Sequence, residues 1–252
     1  MLISSMEFYV LLVSFFLIAM IYSSVGFGGG TSYLALMGVM AINHEVMRPA
    51  ALLCNIVVVT GGVYIFYKEG LLDVKKSWPF MVSSVPLAFL GGQWPIKEEI
   101  FFYILGVTLI VASLFLWFQV KLSGQGESKT KPQSMTISFL LGGSIGFLSG
   151  LVSIGGGIFL SPILHFLKWD HARKISALAS VFILVNSISG LLGQLSRSAS
   201  LDWKFILPLL AVVFLGGQVG SRLGAKRFNI IYIRRITAFL ILIAGLNILL
   251  NH

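Results

Sequence analysis

Two glycine triplets carry the residue types best suited to chemistry: Gly28-Gly29-Gly30, followed by Thr31 and Ser32, and Gly155-Gly156-Gly157, preceded by Ser153. Glycine is unfavourable inside a helix and adopts backbone angles that other residues avoid. A triplet between two apolar segments therefore marks a helix break. The helix that restarts there directs free N–H groups and the positive end of its dipole at the break. Such an arrangement binds anions, and the hydroxyls of Thr31 and Ser32 add donors. Glycines in membranes also simply let helices pack closely. One triplet favours that blander role; two at corresponding places, each opening a short apolar run, favour a site.

The places correspond because the chain is duplicated. Arg48, Trp78 and Gly91-Gly92-Gln93 recur as Arg173, Trp203 and Gly216-Gly217-Gln218 at a constant spacing of 125. The same register pairs Asn55 with Ser180, each seven residues past its arginine. Asn55, Ser180, Gln93 and Gln218 are therefore lining candidates, joined by Ser153 and Asn186; each also has a plainer role as a helix–helix hydrogen bond. Arg48 and Arg173 open equivalent helices, where they either anchor the interface or draw anions to the two mouths. Apart from Glu99 at the edge of the run 99–120, no Asp or Glu lies within an apolar run, so no carboxylate relay is visible, and His165 is the candidate acid or base placed inside the membrane. The single cysteine, Cys54, excludes an internal disulfide or a multi-cysteine metal site. No motif calls for a cofactor.

The elements that must position these residues follow from composition. The chain has 252 residues, 57% of them apolar and 11% charged, with a mean hydropathy of +0.94. That lies outside the range of soluble globular domains. Apolar runs cover 8–25, 31–42, 48–67, 78–93 and 99–120, then 136–153, 157–168, 174–194, 204–219 and 230–250. Most approach the ~20 residues that a bilayer-crossing helix needs. The runs 31–42 and 157–168 are short, and each directly follows a triplet. The expected fold is an all-α integral membrane protein of two inverted-topology repeats, residues 1–120 and 136–252, with about five helical segments each. Glycine-broken short helices then meet at the repeat interface, and the polar, turn-rich stretch 121–135 is the linker. No Lys or Arg precedes the first run, which reads as a transmembrane helix rather than a cleaved signal.

The net charge of +9 reflects basic residues between the runs, where they set topology, and not a nucleic-acid partner. If all ten runs cross, Arg48, Lys97, Arg197 and Lys204 share one side and the other 14 of 18 basic residues share the opposite side. If the short runs re-enter without crossing, the split is 8 against 10. The positive-inside rule prefers the first arrangement, with both termini outside the cytoplasm. Five crossings per half invert the second half relative to the first. The stripe Gly216-Gly217-Gly220-Gly224 allows close helix pairing, including that of a homodimer.

Gly26-Phe27-Gly28-Gly29-Gly30 and Gly150-Leu151-Val152-Ser153-Ile154-Gly155-Gly156-Gly157, with Pro162 following, resemble the TauE/SafE sulfite exporter family, also grouped as TSUP permeases. The resemblance covers essentially the whole chain. It departs at Ala35, where the second copy has Pro162, so the first short helix is expected to be less kinked. The resemblance implies export of sulfite, or of small organosulfur and carboxylate anions, across the bacterial cytoplasmic membrane. The residues alone lead to a small-anion transporter working by alternating access around a midplane site; sulfur enters only through the resemblance. An anion channel of the same fold is the alternative. A more distant one is an intramembrane hydrolase using Ser149 and His165, although Ser149 does not sit in a Gly-x-Ser-x-Gly elbow. The chain has no P-loop to drive transport by ATP.

Overall fold

A computed structural model describes residues 4–24, 26–122, 134–197, 201–224 and 230–251. Its helices are α1 (Ser5–Ser23), α2 (Gly30–Val39), α3 (His44–Lys68), α4 (Val74–Gln93), α5 (Glu98–Leu122), α6 (Met135–Val152), α7 (Gly157–Phe166), α8 (Ala172–Leu195), α9 (Trp203–Gly224) and α10 (Ile230–Asn251). Six of them, α1, α3, α5, α6, α8 and α9, contain a stretch long and apolar enough to cross a bilayer. The chain is a multi-pass, all-helical membrane protein. The linker expected at 121–135 falls largely outside the described residues.

Local chemistry sets the helix starts. Ser4 and Glu7 form a capping box on α1, Asn43 Oδ1 accepts from the Glu45 N–H at 2.8 Å, and Asp73 Oδ1 accepts from the Lys76 N–H at 3.2 Å. The short helices start differently: Gly29 (φ +85°) and Gly156 (φ +78°) are left-handed residues with no side-chain cap. Both α2 and α7 have 10 residues, shorter than the runs of 31–42 and 157–168, because a turn ends each before its apolar run does. At 1.5 Å per residue they cover only ~15 Å.

Contacts near the helix ends define two faces. On one, His44 Nδ1 approaches Glu98 Oε1 at 3.8 Å, Phe8 and Phe205 lie 6.0 Å apart, and Ile42 and Val46 line a crevice with Asp202. On the other, Arg173 meets Glu69 at 2.8 Å and Lys76 meets Asp170 at 2.9 Å. We call these the His44 face and the Lys76 face. Helix α1 leaves the His44 face, and α2 folds back toward it, with Tyr33 stacked on Phe15 at 4.5 Å. Helix α6 begins at the Lys76 face, where Phe139 meets Trp78 at 5.6 Å, and α7 returns there to Trp169. The short helices thus start at mid-depth and run to opposite faces. Arg48, Lys97, Arg197 and Lys204 lie toward the His44 face, whereas Lys68, Lys76, Lys168, Arg173 and Lys174 lie toward the other.

The halves interlock. Helix α4 packs on α6 and α9 on α1, while the equivalent pairs α3–α8 and α5–α10 meet each other. Glycines set the close approaches: a Cβ on Gly142 or Gly150 would strike the carbonyl oxygen of Phe80 or Ala88 on α4. On α9, Gly216 and Gly220 face the carbonyls of Phe16 and Met20. That part of the stripe expected to serve helix pairing is therefore filled by α1 of the same chain.

Candidate functional site

Asn55 lies at the middle of α3 with no exposed surface, and both glycine turns close on its carboxamide. Its Nδ2 donates to the carbonyl oxygen of Ile154, in the second turn, at 3.2 Å. Any side chain on Gly28 or Gly30 would collide with the same carboxamide. A Cβ on Gly155 would lie 3.1 Å from Asn55 Nδ2 and equally close to Ser187 Oγ. Gly30 also comes close to Ile154: its Cβ would sit 2.9 Å from that carbonyl oxygen. Residues more than a hundred positions apart are thus brought to one point.

Ser180, the counterpart of Asn55, does the reciprocal job on α8. Its hydroxyl reaches the carbonyl of Gly26 in the first turn, as well as that of Ser176 in its own helix at 2.9 Å. Each central helix therefore ties down the broken helix of the opposite half.

The backbone N–H groups of Gly28, Gly29, Gly30 and Thr31 find no acceptor among the described residues, and neither do those of Gly155, Gly156, Gly157 and Ile158. All eight residues are buried. Helix starts buried without a cap leave a strong demand for an acceptor, sharpened by the dipole of each short helix. Buried, unpartnered side-chain groups adjoin them: Tyr33 OH, 3.1 Å from where a Gly29 Cβ would sit, Ser187 Oγ and Asn55 Oδ1; elsewhere on α8 both amide atoms of Asn186 are buried without a partner among the described residues.

Several expected lining residues stand elsewhere. The Ser32 hydroxyl pairs with Tyr22 OH at 2.7 Å, and the Thr31 hydroxyl lies 3.5 Å from the same group, so both are engaged by α1. Gln218 lies beside Gly61, six residues beyond Asn55 toward the Lys76 face. Gln93 lies toward the His44 face, donating to Ser196 Oγ at 3.2 Å. Ser153 caps α6 in a left-handed conformation (φ 66°), and its hydroxyl accepts from Gln194 Nε2 at 2.8 Å. Ser149 Oγ is buried without a hydrogen-bond partner among the described residues, so it forms no hydrogen bond with His165.

Sequence reasoning missed Tyr22, Ser187 and Gln194. Tyr22 and Ser187 have no local signal, since they matter only through helices brought beside them. Gln194 was detectable by register, because it stands 125 positions after Glu69.

A cavity of about 380 Å³ opens on the His44 face and is lined by His44, Arg48, Gln93, Trp94, Gln194 and Arg197, with Glu45 at its wall. That volume falls within the range of small-molecule sites. Through Gln194 and its bond to Ser153, the wall of the cavity adjoins the second glycine turn.

Ion pairs between the halves bridge the Lys76 face. Asp170, with only 3% of its side chain exposed, lies 2.9 Å from Lys76 and 3.7 Å from Lys174, and Arg173 meets Glu69 at 2.8 Å. Burial pushes the Asp170 carboxyl up, but the Lys76 hydrogen bond, the His171 N–H and the neighbouring ammonium charges together hold it below its ordinary value. The Asp170 hydrogen bond holds the Lys76 ammonium above its own.

Known proteins match this chain over nearly its whole length. The family model described as sulfite exporter TauE/SafE matches residues 11–248. The probable membrane transporter protein y4hK of Sinorhizobium fredii is 30% identical over 95% of this chain and 97% of its own. The probable membrane transporter proteins YunE and YjnA of Bacillus subtilis are each 26% identical, over 94% and 89% of this chain and 96% and 92% of theirs. No solved structure matches the chain. A match over nearly its full length, on a helical membrane fold with paired glycine turns, means that the chain belongs to the TauE/SafE sulfite exporter family and is a membrane transporter.

Proposed function

We propose that the protein exports a small anion, either sulfite or a small organosulfonate or carboxylate, across the bacterial cytoplasmic membrane by alternating access around a site between the two glycine turns. The observation that carries this reading is the convergence at Asn55 of two uncapped, buried helix starts, whose free N–H groups suit an anionic acceptor. Tyr33 OH and Ser187 Oγ supply further donors, and Asn55 Oδ1 is an acceptor suited to an anion that carries a proton or hydroxyl. The family supplies sulfite as the first candidate substrate.

The halves are read as inverted repeats, because α2 and α7 leave mid-depth for opposite faces. The more basic Lys76 face is then cytoplasmic, with both termini on the outer side. A carrier is favoured over a channel by the asymmetry of the faces. One holds an open cavity, while the other is bridged by ion pairs between the halves.

Radiolabelled sulfite counterflow in proteoliposomes tests this, with a Gly29→Leu, Gly156→Leu double variant beside the wild type. Saturable counterflow that disappears in the folded variant is expected. Both glycines have positive φ, and a side chain there would press on Tyr33 or Phe182. Flux with another small acid but not sulfite changes the substrate and keeps the site. Equal flux in both proteins overturns the site, and unsaturable flux makes the protein a channel.

A further inference from the structure

Arg48 poses a problem that the glycine turns do not solve. It is 9% exposed near the start of α3, and its Nε and Nη2 atoms are buried without a hydrogen-bond partner among the described residues. Its guanidinium lies 5.6 Å from the centre of the Phe101 ring, a cation–π contact that offsets only part of the cost of burying a charge. A membrane-interface anchor would extend its charge to water or headgroups. Arg48 instead lines the cavity of the His44 face.

The duplication shows what is missing. Arg173, the counterpart of Arg48, is paired with Glu69 at 2.8 Å. The residue 125 positions after Glu69 is Gln194, which lines the same cavity as Arg48 but carries no charge and gives its Nε2 to Ser153. The carboxylate that neutralises one arginine is therefore replaced by an amide at the other. Glu45 on the cavity wall is exposed and makes no ion pair with Arg48 among the described residues, while Glu98 approaches His44 instead. The second cavity arginine, Arg197, donates to the Gln93 carbonyl at 3.2 Å.

We propose that the cavity on the His44 face is a second anion site, in which the Arg48 guanidinium binds a small oxyanion next to the glycine turns. The planar, forked donor set of arginine fits a carboxylate, sulfite or sulfonate through two parallel hydrogen bonds. Gln93 and Arg197 add donors at the rim, and Gln194 and Ser153 form the boundary with the central site. An anion held here replaces the missing carboxylate and waits one step from the turns. The inference deepens the transport reading and rests on it for the charge of the substrate.

Equilibrium binding of radiolabelled sulfite to purified, nanodisc-embedded protein, with unlabelled acetate as competitor, tests it on Arg48→Gln, Arg48→Lys, Gln194→Glu and the glycine double variant. Removing a charge-assisted hydrogen-bond donor weakens binding by about tenfold or more. Arg48→Gln is expected to lose one binding stoichiometry or at least tenfold in affinity, and Arg48→Lys to recover part of it. Gln194→Glu keeps Arg48 but adds a competing carboxylate, so it is expected to weaken binding comparably and covers the case in which Arg48→Gln does not fold. The glycine double variant is expected to lose counterflow yet keep binding at Arg48. Unchanged affinity in folded Arg48→Gln and in Gln194→Glu, with wild-type counterflow intact, overturns this site alone. Failure of the wild type either to bind or to transport small anions overturns the transport reading instead.

Discussion

At the residue scale, Asn55 joins the two turns, because one carboxamide contacts both. Replacing it with alanine leaves the Ile154 carbonyl buried without a donor, which costs about 1–3 kcal/mol of stability. Asn55→Asp keeps the shape, loses the donor and adds a negative charge beside the free N–H groups. If Asn55 only packs helices, flux in both variants falls in proportion to the folded protein recovered. If it lines an anion site, Asn55→Asp abolishes counterflow even in its folded fraction; thermal melting and counterflow on the same preparation separate the two. The position of Asn55 was legible in the sequence, since an amide inside an apolar run at the repeat register of Ser180 has few other reasons to exist. Thr31 and Ser32 were legible as donors but not as partners of Tyr22. A hydroxyl on a helix start has several directions available, and α1, which decides between them, is placed by tertiary packing.

At the scale of elements, the breaks before α2 and α7 could be read from the glycine triplets, while their lengths could not. The apolar runs continue past the helix ends, and turns with positive φ at Ala41 and Lys168 close the helices early. Nor could the ion pairs of the Lys76 face be read, because Glu69 and Asp170 lie in different connections whose proximity depends on α3 and α8 packing side by side. These pairs have a defined pH window. Asp170 has a lowered pKa in the folded protein, so its contribution is fully present above its ordinary value of 3.8 and is lost as pH falls through the lowered one. Lys76 has a raised pKa, so its contribution is present below its ordinary 10.5 and is lost as pH rises through the raised one. The melting difference between wild type and Asp170→Asn is therefore expected to be flat from roughly pH 5 to 9 and to shrink toward acid. Because the Lys76 ammonium is half exposed, the screened pair contributes about 0.5–1 kcal/mol on that plateau. A difference that instead changes across neutral pH would assign the effect to a histidine.

At the scale of the whole molecule, the charge count separated two sets of loops, and the structure places the described members of each set together at one end. The count worked because charged loops cannot lie within the bilayer. It could not show that the halves exchange partners, α4 lying on α6 and α9 on α1, because glycine stripes announce close packing without naming the partner. In the proposed alternating-access carrier, that interlocking is what would link the faces: tighter Glu69–Arg173 and Asp170–Lys76 contacts at one end would go with an open cavity at the other. Cysteine labelling reads this coupling with little background, since the native Cys54 has no exposed surface. In intact cells, a membrane-impermeant maleimide is expected to modify Arg197→Cys but not Lys174→Cys, and inverted vesicles are expected to reverse the preference. The reverse result in cells would turn the topology over, making the cavity cytoplasmic. Exchange substrate present on both sides should slow labelling at Arg197→Cys, because occupied carriers divide their time between the two faces. In a channel, labelling would change only by direct occlusion, so it would not respond to Lys76→Gln. In a carrier, the same substitution weakens the ion pairs across the Lys76 face and lowers cavity exposure, slowing Arg197→Cys labelling even without substrate.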